Sequence, residues 1–229
     1  NGNVVLTGSN HYKGTTTVTS GLLTFSGLDQ LGLNPAITLN GGGLQHAAGN
    51  TVDTSVRGIT LGTNGGTIHT NGNGVTFANA LGGTGMLIKT GAGTLTLDAA
   101  RSGAGSTTVA NGTLRLGVSN ALGTTSALVL GSGTTAGTLN LDGRSQQVST
   151  FAVSSNSNTA VNRLIISPGS TFTTTGNVTL GLDGVNTFTQ FKAEGGGTWN
   201  ATSSAASAAF VIGAGTGGSN YNTATADLS

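Results

Sequence analysis

Shifted by 91 residues against itself, the chain aligns Gly2–Gly32 with Gly93–Gly123 without a gap, and ten of those 31 positions are identical. They are Gly2/Gly93, Leu6/Leu97, Gly14/Gly105, Thr16/Thr107, Thr17/Thr108, Val18/Val109, Gly21/Gly112, Leu23/Leu114, Leu31/Leu122 and Gly32/Gly123. The matches are alternating apolar residues and glycines. A repeated active site would keep reactive side chains; what recurs here is a structural register. Units of this kind bury their apolar faces only against neighbouring units, so the chain is constrained to a stacked fold.

Within each copy, short runs alternate with period two: Leu95-Thr96-Leu97, Thr107-Thr108-Val109, Leu114-Arg115-Leu116, Leu128-Val129-Leu130 and Leu139-Asn140-Leu141. Leu114 and Leu116 then share one face while Arg115 takes the other. "NGT", "GSG" and "DGR" between such runs are turn sequences, and 41 glycines supply corners with positive φ. No stretch of ten residues carries a helical period; Ala201–Phe210 comes nearest, and its Ser and Thr content weakens it. With only 4% aromatic residues a two-sheet sandwich core is poorly supplied, and no aromatic-marked propeller repeat is present. The remaining reading is all-β: a right-handed parallel β-helix, or β-solenoid, of roughly ten coils. It forms one segment over residues 1–229, with long repeats near 2–92 and 93–229 and a second copy that diverges after about Leu141.

Charge narrows the function. The net charge is +1 and the 8 basic residues are scattered singly, so neither a nucleic-acid stripe nor an electrostatic membrane tether is present. No apolar run approaches the ~20 residues of a membrane-spanning helix. The absence of Cys removes disulfides and thiolate metal sites. The first residues already lie within the pattern, and "NYNTATADLS" at the end reads as the start of a further coil. The segment is therefore expected to belong to a longer chain.

"KTGAGTLTLDAARSGAGSTTVANGTLRLGVSNALG" (Lys89–Gly123) resembles the autotransporter-associated β-strand repeat, also called the passenger-associated transport repeat. Gly91, Gly93, Leu95, Leu97, Gly105, Thr107, Val109, Gly112 and Leu114 stand where its pattern K-x-G-x-G-x-L-x-L…G-x-T-x-V-x-x-G-x-L places them. In the first copy Gly8, Asn10 and Tyr12 supply the G-x-N-x-Y element, followed by Gly14, Val18, Gly21 and Leu23; the second copy has Ala99, Arg101 and Gly103 there and departs from the pattern. The resemblance implies a β-helical passenger segment, secreted or displayed on the outer surface of a Gram-negative cell.

No constellation of residues points to catalysis. The acids are Asp29, Asp53, Asp98, Asp142, Asp183, Asp227 and Glu194, no two adjacent, and several follow apolar runs where an Asp serves a turn. His46 and His69 lie 23 residues apart, close to one coil, and stacking would bring them together; no carboxylate or thiol completes a metal set. No catalytic, cofactor-binding or metal-ligating residue is assigned. Tyr12, Trp199 and Tyr221 are the aromatics suited to stack on a sugar, with Trp199 and Tyr12 the better candidates. The expected function is a non-catalytic structural or adhesive scaffold, whose partners are surface glycans, host or abiotic surfaces, and flanking repeats. The alternatives are a filament subunit that stacks end to end and, less favoured, a polysaccharide-active enzyme.

Overall fold

The structure, a computed structural model, describes residues 2–34, 36–157, 159–181, 189–202 and 210–212. Tyr221, Asp183, Asp227 and most of the Ala201–Phe210 stretch lie outside the described residues. The period-two runs form strands, and every pairing between strands is parallel. The chain winds as a right-handed parallel β-solenoid with three faces.

Ten strands make the long face: Val4–Val5, Leu22–Phe25, Gly43–His46, Gly66–His69, Leu87–Thr90, Thr107–Val109, Ala127–Gly133, Thr150–Ser155, Val178–Leu180 and Phe210–Ile212. At the usual strand spacing they extend about 45 Å. Six strands make the second face: Gly74–Phe77, Thr94–Leu97, Gly112–Leu116, Gly137–Asn140, Val161–Ile165 and Gln190–Glu194. In two earlier circuits the chain instead forms short 3-10 helices, Leu28–Leu31 and Thr54–Arg57. The third face begins with Thr16–Val18, Ile37–Leu39 and Ile59–Leu61 and ends with Gln146–Val148, Thr171–Thr174 and Thr198–Ala201. Single rungs join the two groups: Thr60 bridges Gly82, and Ser102, Arg101 and Asn120 donate their N–H groups to Leu81, Ala121 and Ser145.

Circuits are unequal. Val4 pairs with Leu23, a rise of 19 residues, whereas Leu180 pairs with Ile212, a rise of 32. The chain therefore makes slightly fewer coils than the ten expected. Inward residues stack in register: Leu44, Ile68, Val109, Leu130, Val153 and Leu180 on the long face, Val75, Leu95, Leu114, Leu139 and Leu164 on the second. All are buried. Each contributes about 1.5–3 kcal/mol before conformational entropy is subtracted. The wider circuits from Thr150 onward are filled by rings: Phe151 lies 5.5 Å from each of Phe172, Phe191 and Trp199.

Outward chemistry differs between faces. Apart from the inward Lys89, no long-face strand contains Lys, Arg, Asp or Glu. Its outward row reads Thr67, Ile88, Thr108, Val129, Ala152 and Thr179. Charges gather on the second face, where Arg115 pairs with Asp142 and Glu194 with Arg163 and Lys192.

Candidate functional site

Both copies of the long repeat build the same unit. In the first, Val4 pairs with Leu23; in the second, Leu95 pairs with Leu114; each is a 19-residue circuit. The glycine where the third strand starts has positive φ in both, 67° at Gly21 and 71° at Gly112. A Cβ on either would strike a main-chain carbonyl, Gly2 O at 2.2 Å or Gly91 O at 2.5 Å. Val18 and Val109 point inward between the paired strands, and Leu114 is buried where Leu23 is half-buried. Gly14 stands in open space, whereas Gly105 is pressed against the circuit below. The copies sit on different faces. The outer strands of the first lie on the long face, and those of the second lie on the second face. Ninety-one residues thus span several whole circuits plus a partial one.

The family model for the passenger-associated-transport-repeat matches residues 1–25 and 87–116. The chain carries passenger-associated transport repeats. Each matched stretch ends with the last residue of a strand, Phe25 or Leu116. Both stretches contain a 19-residue circuit, the shortest rise in the solenoid. No curated protein and no solved structure matches the chain.

Arg101 stands where the first repeat has Asn10, and it serves the same corner by other means. Asn10 receives its rung through its N–H to Asp29 O, and its Nδ2 donates to Gln30 O at 2.8 Å. Arg101 donates its N–H to Ala121 O, while its guanidinium turns inward to Gly85 O at 2.7 Å, Gly105 O at 2.9 Å and Thr107 Oγ1 at 3.0 Å. The second repeat is substituted here, yet the corner carbonyls keep donors. Tyr12 is 38% exposed, its hydroxyl 2.7 Å from Thr16 Oγ1 and its ring against the bare Cα of Gly32. Gly103 replaces it because a Cβ there would lie 1.9 Å from Gly83 O.

Lys89, which opens the pattern in the second repeat, is fully buried. Burial pushes its amine down to about 7. An unfolded chain holds that proton up to about 10.4. Between those values the unfolded state binds more protons, so stability should climb as pH rises from about 7 toward 10. Urea midpoints measured on both sides of this window test the point, and Lys89→Met should flatten the rise. A midpoint that falls over the window in the unsubstituted chain would contradict it.

The remaining candidates are placed as follows. The histidine pair is not brought together on one face: Gln45, not His46, pairs with His69, so His46 points inward and His69 outward. A one-residue offset reverses the face of a strand residue. His46 packs edge-on to Phe25 at 4.8 Å, and desolvation lowers its pKa. Among the described residues no group of three His, Asp or Glu could hold a metal. Asp53 caps the Thr54–Arg57 helix through Ser55 N, Asp29 accepts from Ser9, and Asp142 pairs with Arg115. Glu194 is held below the usual carboxylate range by a hydrogen bond from Lys192 and then by Arg163. That is opposite to the raised pKa a general acid requires. Trp199 belongs to a third-face strand, in register with the buried Phe172, and faces the ring cluster. With Ile166, Ala193 and Glu194 it lines a recess of about 250 Å³.

Proposed function

We propose that this chain is a non-catalytic segment of an autotransporter-type passenger, displayed at the outer cell surface, that acts as a rigid adhesive scaffold. The observation that carries this reading is the pair of matched 19-residue circuits embedded in one unbroken parallel ladder. The fold and the repeat fit a passenger-type scaffold, and among the described residues Asp29, Asp53, Asp142 and Glu194 are engaged in hydrogen bonds, a helix cap and ion pairs. Among the described residues no helix is long and apolar enough to cross a membrane. Adhesion is assigned to the uncharged outward row of the long face, with glycan contact at Tyr12 and at Trp199 beside its recess. Neutral, β-branched rows suit flat polysaccharide or abiotic surfaces because contact there desolvates no charge.

The test is retention on a glycan array and on polystyrene beads by the purified chain and by Thr108→Lys/Val129→Lys. Binding should be lost in the double variant while its far-UV circular dichroism stays native. Undiminished binding would move adhesion off this face. Cleavage of uronate polymers, abolished by Asp98→Asn or Asp142→Asn, would overturn the non-catalytic reading.

One observation favours a second reading, end-to-end assembly. Val4 and Val5, on the outermost strand of the long face, are 55% and 64% exposed beside an apolar recess of about 310 Å³. An open strand edge of this kind pairs with flanking repeats or with another copy. Electron micrographs showing long single-solenoid fibres would support assembly; discrete short rods would exclude it.

A further inference from the structure

Lys89 occupies a rung of the inward apolar column, in register with Ile68 on one side and Val109 on the other. Among the described residues no carboxylate forms an ion pair with it. Its ammonium donates instead to three main-chain carbonyls: Gly91 O at 2.7 Å, Asn111 O at 2.9 Å and Thr90 O at 3.0 Å. Thr90 and Gly91 form the corner of its own circuit; Asn111 belongs to the corner of the next. Gly112 closes the wall, since a Cβ there would stand 2.8 Å from Lys89 Nζ and 2.5 Å from both Gly91 O and Gly93 O. The circuit below completes the corner, where Thr70 Oγ1 donates to Ala92 O at 2.7 Å.

Three acceptors converge; Thr90 O also takes the Thr70 N–H at 3.2 Å, whereas Lys89 is the one close donor to Gly91 O and Asn111 O among the described residues. A primary ammonium has three N–H groups to match them, whereas an alcohol has one donor and a quaternary ammonium none. Buried carbonyls left without partners are costly, so an empty site would loosen both corners. We propose that the carbonyls of Thr90, Gly91 and Asn111 form a recognition site for a primary amine, filled internally by Lys89, and that filling it locks the 87–97 circuit onto the 107–116 circuit. The site is a property of the corner backbone, and the lysine is its tethered ligand. It therefore accepts a free alkylammonium when the side chain is cut away.

Lys89→Ala removes the equivalent of n-propylammonium. At pH 6, where both amines are protonated, the variant should melt several degrees below the unsubstituted chain. Added n-propylammonium chloride should restore part of that loss saturably, without changing the melting of the unsubstituted chain. n-Propanol and tetramethylammonium chloride at matched concentrations should restore less. Equal rescue by n-propanol, or no rescue by any of the three, overturns the proposal. If Lys89→Ala does not fold unaided, refolding yield with each additive is the readout, under the same criteria. A second measurement needs no variant. Brief treatment with an amine-acylating reagent, followed by peptide mass spectrometry, should label the exposed Lys13 and leave Lys89 protected. Labelling of Lys89 at the rate of Lys13 would show that the amine is not held in the site.

Discussion

Gly105→Val is expected to destabilise the chain by several kcal/mol, while Gly14→Val, at the same position of the first repeat, should leave stability within about 0.5 kcal/mol. A Cβ on Gly105 would lie 2.1 Å from Gly85 O and 2.5 Å from Thr84 O. Both are main-chain atoms of the circuit below, so relief requires prising two circuits apart. Gly85 is in the same position, with its own Cβ site 1.8 Å from Gly62 O. Gly62, Gly85 and Gly105 thus form a corner column in which backbone packs directly on backbone. Opening it loses neighbouring ladder bonds and exposes inward leucines, a penalty of about 3–5 kcal/mol or more against a total stability of about 5–15 kcal/mol. At Gly14 a Cβ would meet no atom within 4 Å. Thermal unfolding followed by circular dichroism separates the two variants. Equal effects at both sites would disprove the column.

Phe151→Ala should cost about 3–5 kcal/mol, the usual range for deleting a fully buried ring. Phe151 is 1% exposed and touches Phe172, Phe191 and Trp199, each with ring centroids 5.5 Å away. Its loss leaves a cavity bounded by strands of all three faces, which have little freedom to collapse because each is pinned by a parallel neighbour. Trp199 is the one tryptophan in the chain and reports on the site directly. Its emission should shift to the red as water gains access to the ring, with a parallel drop in the urea midpoint. Unchanged emission beside a large stability loss would place Trp199 outside the cluster.

The solenoid was legible because its determinants are local. Period-two runs such as Leu114-Arg115-Leu116 announce which side chains enter the core, and glycines such as Gly112 announce corners whose backbone needs positive φ. Less legible was which face each run occupies, because that depends on the summed length of all preceding corners. The 91-residue self-match concealed a partial circuit, so equivalent strands lie on different faces. The His46/His69 spacing failed for the same reason: 23 residues is close to one circuit, yet the true rung partner of His69 is Gln45. Lys89 and Arg101 were hidden by their residue type. A cation in an alternating run reads as an outward residue, and nothing in its neighbours signals that carbonyls of two circuits will converge on it.

The bonds that join one strand to the next are drawn from the main chain, which makes the outward row of the long face a blank page. Thr67, Ile88, Thr108, Val129, Ala152 and Thr179 are spaced by the ladder whatever side chains they carry. Changing what the rod presents to the world costs little folding energy, provided the corner glycines and the inward leucines stay in place. Such a molecule can be rewritten for a new surface one letter at a time, each letter keeping its address about 4.8 Å from the last.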